Sequence, residues 1–241
     1  MSRVDTRRTV HVVAAAVIDA ANRVLIAQRP PGKHLAGGWE FPGGKLEPGE
    51  ERRAGLAREL NEELGIRIGS PRPLIRVRHA YPTRDILLDM WVATSYSGEP
   101  RGLDGQALRW CTQDELSSAD LLPADKPIVK ALRLPERLTV ASSPHWIVRR
   151  AAAIARESAN AGTFEHRLQG VLCEGYADAV TAAVADADFL VMKNAASHAE
   201  LTKLGDAVSM PVFARGIELL QAWDCGISGV NEISDELLSR V

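Results

Sequence analysis

Apolar residues collect in two short runs near the start of the chain, around residues 12–18 and 24–27, on either side of the polar turn Asp19-Ala20-Ala21-Asn22. Residues 9–29 therefore predict two strands joined by that turn. A Gly- and Pro-rich loop follows at residues 30–38, then Trp39-Glu40-Phe41-Pro42-Gly43-Gly44-Lys45 and a charged stretch, 50–64, with helical spacing of its apolar positions. Further strands are predicted at 73–79, 86–94 and around 107–110, with a turn at Gly98-Glu99-Pro100 and a helix from Pro127 to Leu132. The pattern is mixed α+β. Beyond about residue 134 the texture changes, and short apolar runs alternate with Ala-rich helical stretches. Strands are predicted at 138–141, 169–172, 189–192, 211–214 and 229–233, and helices around 146–159, 177–186, 197–208 and 217–223. That alternation predicts parallel βα units, and two domains, 1–134 and 135–241.

Composition narrows the classes. The 241 residues are 46% hydrophobic and 25% charged, an ordinary globular mix that excludes general disorder. The formal net charge of -2 argues against a binder of polymeric nucleic acid, so any nucleic-acid chemistry should involve single nucleotides. Cys111, Cys173 and Cys225 are scattered and fit no metal or disulfide spacing, which points to a reducing compartment. Arg3, Arg7 and Arg8 before an apolar run imitate a secretory leader, but the run stops at Asp19 and a second strand follows, so it reads as the first strand. No run reaches the ~20 apolar residues of a membrane span. The expectation is a soluble cytoplasmic protein that does not enter membranes.

The chemistry concentrates in residues 44–66. At about 100° per residue, Glu59, Glu62 and Glu63 share one helix face, with Ala57, Leu60 and Leu64 on the other. Like charges at this spacing repel, and a divalent cation relieves the repulsion. An all-oxygen set without Cys or His suits magnesium or manganese better than zinc. Arg58 stands four residues before Glu62 and can orient it. Gly43 and Gly44 permit a tight backbone between strand and helix, and a carbonyl there can join a metal shell; Gly65 suits a left-handed helix cap.

With these offsets the segment resembles the Nudix box, G-x5-E-x7-R-E-U-x-E-E-x-G-U with U aliphatic. It matches at Gly44, Glu50, Arg58, Glu59, Leu60, Glu62, Glu63, Gly65 and Ile66. The resemblance implies a magnesium-dependent hydrolase of nucleoside diphosphates linked to another moiety, built as an α/β/α sandwich around a mixed sheet. It extends over about residues 9–133 and points to the MutT branch, through Ala27-Gln28-Arg29, Gly38 to Lys45, Gly105-Gln106 and Leu122 to Ile128. That branch converts 8-oxo-dGTP to the monophosphate and pyrophosphate and so keeps oxidised guanine out of DNA.

Carried over by position, the resemblance implies a metal shell of Gly43 (through its carbonyl), Glu59, Glu62, Glu63 and Asp104, the last standing where the family has Glu. Arg29 and His34 would hold the phosphate and sugar side, the stretch Glu40, Phe41, Pro42, Gly43 would line the site, and Tyr81 and Arg84 would lie near the base. Asp125 replaces a family Asn. An amide donates to O6 of 8-oxoguanine and accepts from its N7–H. An ionised Asp only accepts, whereas a protonated one does both. The implied mechanism is in-line attack of water on a phosphorus of a magnesium-bound triphosphate, with Glu59 as base and Lys45 and Arg29 offsetting phosphate charge.

His11, His79, His145, His166 and His198 stand without metal-ligand spacing and read as structural or surface residues, as do Trp91 and Trp110 in strands. Ser143 and His145 lack a third triad partner. The C-terminal part resembles thiamine phosphate synthase and TenI-like (β/α)8 barrels in Ala187 to Met192, Ser197-His198, Pro211 to Ile217 and Gly226 to Ile233. About 107 residues are too few for a barrel of roughly 200, so the expectation is an incomplete TIM-barrel-like domain of five βα units. Its open strand edges argue for a homodimer. Two rival readings stay open: the same chemistry on a dCTP-type or other damaged nucleotide, and a nucleotide- or thiamine-responsive binding protein with a vestigial site.

Overall fold

The computed structural model describes residues 9–140, 142–143, 146–150, 167–183, 187–225 and 227–239. Arg3, Arg7, Arg8, Ala141, His145, His166, Gly226 and the 151–159 part of the expected helix lie outside these residues. The chain forms two compact units, residues 1–72 with 77–129, and residues 130–241 with the short piece 73–76.

In the first unit, β1 (Thr9–Val17) and β2 (Val24–Gln28) flank the turn at Asp19, whose carboxylate accepts from the Ala21 and Arg23 amides. Next come β3 (Trp39–Glu40), β4 (Gly43–Lys45) and α1 (Arg52–Leu64). They are followed by β5 (Arg67–Ile68), β6 (Arg72–Tyr81), β7 (Arg84–Ala93), β8 (Tyr96–Ser97), β9 (Leu108–Cys111), α2 (Gln113–Ser118) and α3 (Lys126–Ala131). The main sheet has the order β4-β1-β7-β6, with β1 parallel to β7 and antiparallel to β4. A second sheet has the order β3-β2-β9.

The alternation of side chains along β1 decides where the core ends and the site begins. Val13, Ala15 and Val17 join Trp91 and Ala93 of β7 in a core with Leu56, Leu60 and Leu64 of α1. Val10, Val12 and Ala14, on the other face, line a cleft with Ile86 and Leu88. One departure from the expected helix face is Ala57, which is exposed, while Leu56 is buried. Residues 56, 60 and 64 form one stripe at four-residue spacing, and residue 57 lies about 100° round from 56.

The second unit is a parallel sheet of β10 (Arg137–Leu138), β11 (Trp146–Arg150), β12 (Leu168–Cys173), β13 (Phe189–Ala195), β14 (Val212–Arg215) and β15 (Gly229–Asn231), in the order β10-β15-β14-β13-β12-β11. Its described helices are α4 (Tyr176–Ala182), α5 (His198–Ala207), α6 (Leu219–Asp224) and α7 (Asp235–Ser239). Both sheet faces bury apolar residues. Leu190 and Met192 enter one core with Leu201 and Leu204 of α5, and Phe189, Val191 and Phe213 enter the other, as expected for a parallel sheet covered on both faces. The helix expected from residue 146 is corrected here. Trp146–Arg150 is a strand paired in parallel with β12, because Trp, Ile and Val sit well on a pleated surface with a neighbour to pair with. The strand expected at 138–141 shrinks to β10.

Candidate active site

Helix α1 is placed by its caps and its apolar stripe. The Glu51 carboxylate accepts from the Ala54 amide at the start, and Gly65, at φ 70°, ends the helix by donating to the Asn61 carbonyl. With the leucines facing the sheet, Glu59 and Glu63 are left partly buried at the cleft and Glu62 points to solvent, its side chain 58% exposed. Arg58 binds this cluster together. Its Nε and Nη2 donate to the two oxygens of Glu50 at 2.8 Å each, and Nη1 donates to Glu59 at 3.0 Å and Glu62 at 3.1 Å. A further bond from Nη2 to the Lys45 carbonyl ties the helix to β4. The guanidinium holds the Glu50 carboxyl down at about 2, and the carboxylates in turn strengthen the Arg58 charge.

Two glycines bring backbone and carboxylate together. A Cβ on Gly43, which takes φ 151°, would lie 2.1 Å from the Val13 carbonyl oxygen. A Cβ on Gly44 would lie 2.1 Å from a Glu59 oxygen, so the Glu59 carboxylate rests directly against the β4 backbone. Glu63 accepts from the Gly43 amide at 3.4 Å, and burial pushes its carboxyl up to about 7.

These groups form one end of a cleft of about 620 Å³. Gly43, Gly44, Lys45, Glu59, Glu62, Glu63 and Asp104 line that end. Arg29, His34, Glu40, Phe41, Tyr81, Arg84 and Asp125 line the same cleft. Of the site residues named from sequence, only Arg58 and Pro42 are absent from its wall. Arg58 acts from behind the glutamates, and the Pro42 carbonyl accepts from the Ala15 amide at 3.0 Å, anchoring the loop before β4 onto β1.

The second group centres on a buried acid. Asp125 is 4% exposed and accepts from the Phe41 amide. Burial raises its carboxyl well above the ordinary value, and the negative charge of Glu40 pushes the same way. Glu40 is itself raised by burial, partly offset by Arg29, whose Nη1 donates to it at 2.5 Å. The Nε atoms of Arg29 and Arg84 are buried without a hydrogen-bond partner, as expected of donors kept for a ligand. The Tyr81 hydroxyl accepts from the Ala124 amide, and the ring meets His34 and His79 edge-on at 5.7 and 4.4 Å.

Sequence reasoning missed Lys33 and the apolar wall of Val10, Val12, Ala14, Ile86, Leu88, Leu122 and Ala124. Alternation along β1 and β7 was the available signal for five of these, whereas nothing in the sequence marks Lys33. His11, read as solitary, donates or accepts at 2.7 Å with Asp89, which Arg52 of α1 also approaches at 3.6 Å. It remains structural, on the α1 side of the sheet.

The donor set fits a hard divalent cation. Glu59 and Glu63 offer only oxygen donors, and both lie beside the Gly43–Gly44 backbone. Among the described residues no group of three or more Asp, Glu, His or Cys side chains is arranged to hold a metal ion by itself. Magnesium, which keeps several waters and takes substrate phosphates as ligands, suits such an open set.

Residues 13–131 match the NUDIX domain family. The CTP pyrophosphohydrolase of Escherichia coli strain K12 is 40% identical over 119 residues, 49% of this chain and 88% of that protein. The 8-oxo-dGTP diphosphatase of Proteus vulgaris is 42% identical over 93 residues, 39% of this chain and 83% of that protein. The 8-oxo-dGTP diphosphatase of the same Escherichia coli strain is 35% identical over 112 residues, 46% and 87%. The first unit thus carries a NUDIX domain, and a second unit follows it. This chain belongs to the Nudix family and is a Nudix hydrolase.

Proposed function

We propose that the protein is a magnesium-dependent nucleoside triphosphate pyrophosphohydrolase whose first substrate is 8-oxo-dGTP. The observation that carries this reading is that one cleft of nucleotide size holds both the Glu59–Glu63 carboxylates and the buried Asp125. In this reading the Gly43 carbonyl, Glu59, Glu62, Glu63 and Asp104 are the oxygen ligands. The bound cation supplies charge to the triphosphate and lowers the pKa of an attacking water. Glu59 takes the water's proton, Lys45 and Arg29 hold the phosphate chain, and Arg58 fixes the glutamates. Tyr81, Arg84, His34 and the Glu40–Gly43 stretch enclose sugar and base. Asp125, kept protonated by burial, donates to O6 and accepts from N7–H of 8-oxoguanine, the pattern of an amide. The two 8-oxo-dGTP diphosphatase relatives support the same substrate.

A second reading, a cytosine nucleotide, is favoured by the carboxyl at residue 125, which can accept from the cytosine amino group, and by the CTP pyrophosphohydrolase relative. The purified chain with magnesium and a panel of 8-oxo-dGTP, dGTP, CTP and dCTP separates the two. Monophosphate and pyrophosphate are the expected products. For 8-oxo-dGTP, kcat/KM is expected to exceed that for dGTP by about a hundredfold or more, since a site built to pair N7–H rejects a base without it. A CTP preference selects the second reading, and release of inorganic phosphate overturns both. The division at residue 134 belongs to the proposal, as does an incomplete barrel-like C-terminal domain. Its six described parallel strands, one more than the five expected, still fall short of the eight of a closed barrel. A cytoplasmic location and a homodimer complete the reading.

A further inference from the structure

Lys33 lies in the cleft wall without belonging to any motif. It stands in the loop after β2, where Gly32, Leu35 and Gly37 take φ of 88°, 60° and 86°. The space around Gly32 and Gly37 is open. Lys33 Nζ is 3.4 Å from Asp104 Oδ2, and the two side chains are 47% and 50% exposed. Asp104 sits in the turn before β9. Because β2 and β9 are antiparallel neighbours paired as far as Ala27 and Leu108, both loops leave the same end of that pair, and the ion pair ties them together. An exposed pair at this separation is weakly held and easily exchanged.

Two arginines of the site have firmer commitments, Arg29 to Glu40 and Arg58 to three glutamates. The charge of Lys33 is also felt by Glu40 and by Glu63, so the ammonium stands within reach of both groups of cleft carboxyls. We infer that Lys33 is a substrate-binding residue that changes partner, exchanging Asp104 for the polyphosphate of the nucleotide when the nucleotide binds. This inference rests on the triphosphate reading above. A phosphate chain offers several anionic oxygens where Asp104 offers one carboxylate, so charge-assisted bonds to it are the stronger. While it is paired with Asp104, the same ammonium competes with a divalent cation for that carboxylate and repels it.

Two opposite effects of one substitution follow. Manganese is titrated into wild type, Lys33→Gln and Lys33→Arg without nucleotide, by the paramagnetic resonance signal of free ion. Steady-state pyrophosphate release is then measured on the nucleotide that the wild type turns over best. In Lys33→Gln, manganese affinity is expected to rise about threefold while KM rises about tenfold, with kcat falling by less than KM rises. Lys33→Arg should stay close to wild type in both measurements. A Lys33→Gln protein with unchanged manganese affinity or unchanged KM overturns the inference, as does a loss carried mainly by kcat. A wild-type chain that neither binds manganese nor releases pyrophosphate overturns the triphosphate reading itself, which keeps the two failures distinct.

Discussion

The two carboxylate groups of the cleft use the same side chains in different surroundings. Around α1, Glu59 and Glu62 keep contact with solvent and share Arg58, so their charges are compensated from outside the cleft wall. Asp125 is buried, and its neighbour Glu40 adds negative charge that Arg29 only partly offsets. Arg58 compensates the α1 carboxylates from behind, whereas around Asp125 burial and the charge of Glu40 both favour a neutral carboxyl, which can donate as well as accept.

The largest expected effect tests the α1 group. Glu59→Gln keeps the size of the side chain but removes the charge, and kcat should fall by about a thousandfold or more with the circular dichroism spectrum unchanged. Near-normal turnover would end the division of labour between the two groups. Arg58→Ala comes next. The glutamates keep their positions on the helix but lose the guanidinium that orients them, and kcat should fall about ten- to a hundredfold, the range for groups behind a metal ligand. An unchanged kcat would show that the glutamates orient themselves.

Asp125→Asn sharpens the other side of the comparison. The amide supplies donor and acceptor without needing a proton, so the ratio of 8-oxo-dGTP to CTP turnover should rise severalfold at pH 8, read as the ratio of the two kcat/KM values. The same variant carries the smallest effect, on stability. A carboxyl raised on folding stabilises the protein fully below its unfolded pKa, about 4, and that contribution is lost as pH rises towards the folded value. The melting temperature of Asp125→Asn should therefore exceed wild type at pH 8, and the gap should close towards pH 4. Glu50, lowered from 4.5 to about 2, works in the opposite direction, since its contribution is present above about 4.5 and is lost as pH falls towards about 2. A variant less stable than wild type at pH 8 would mean that Asp125 is charged in the native protein.

The legible parts of the site were those set by short-range geometry. Helical spacing placed Glu59, Glu62 and Glu63 together, Gly43 and Gly44 marked a backbone with no room for a Cβ, and Gly65 marked the left-handed helix cap. Asp125 was chosen by position, but its burial was invisible, because neighbouring Lys126 suggests a surface site. Helix versus strand at residue 146 also misled, since a segment as short as Trp146–Arg150 takes whichever form its neighbours pair with. Lys33 could not be singled out, because a lysine in a loop carries no periodic signal.

The one-dimensional order of residues was sufficient to define the Nudix helix, its glycine cap, the Leu60–Leu64 part of its apolar stripe and the class of chemistry, because all depend on contacts a few residues apart. Tertiary structure alone decided which acids are buried, that Asp125 and Glu59 share a cleft, and that Lys33 meets Asp104. Those facts come from strand pairing between distant segments. Desolvation and charge proximity act through space, so they are set by the fold.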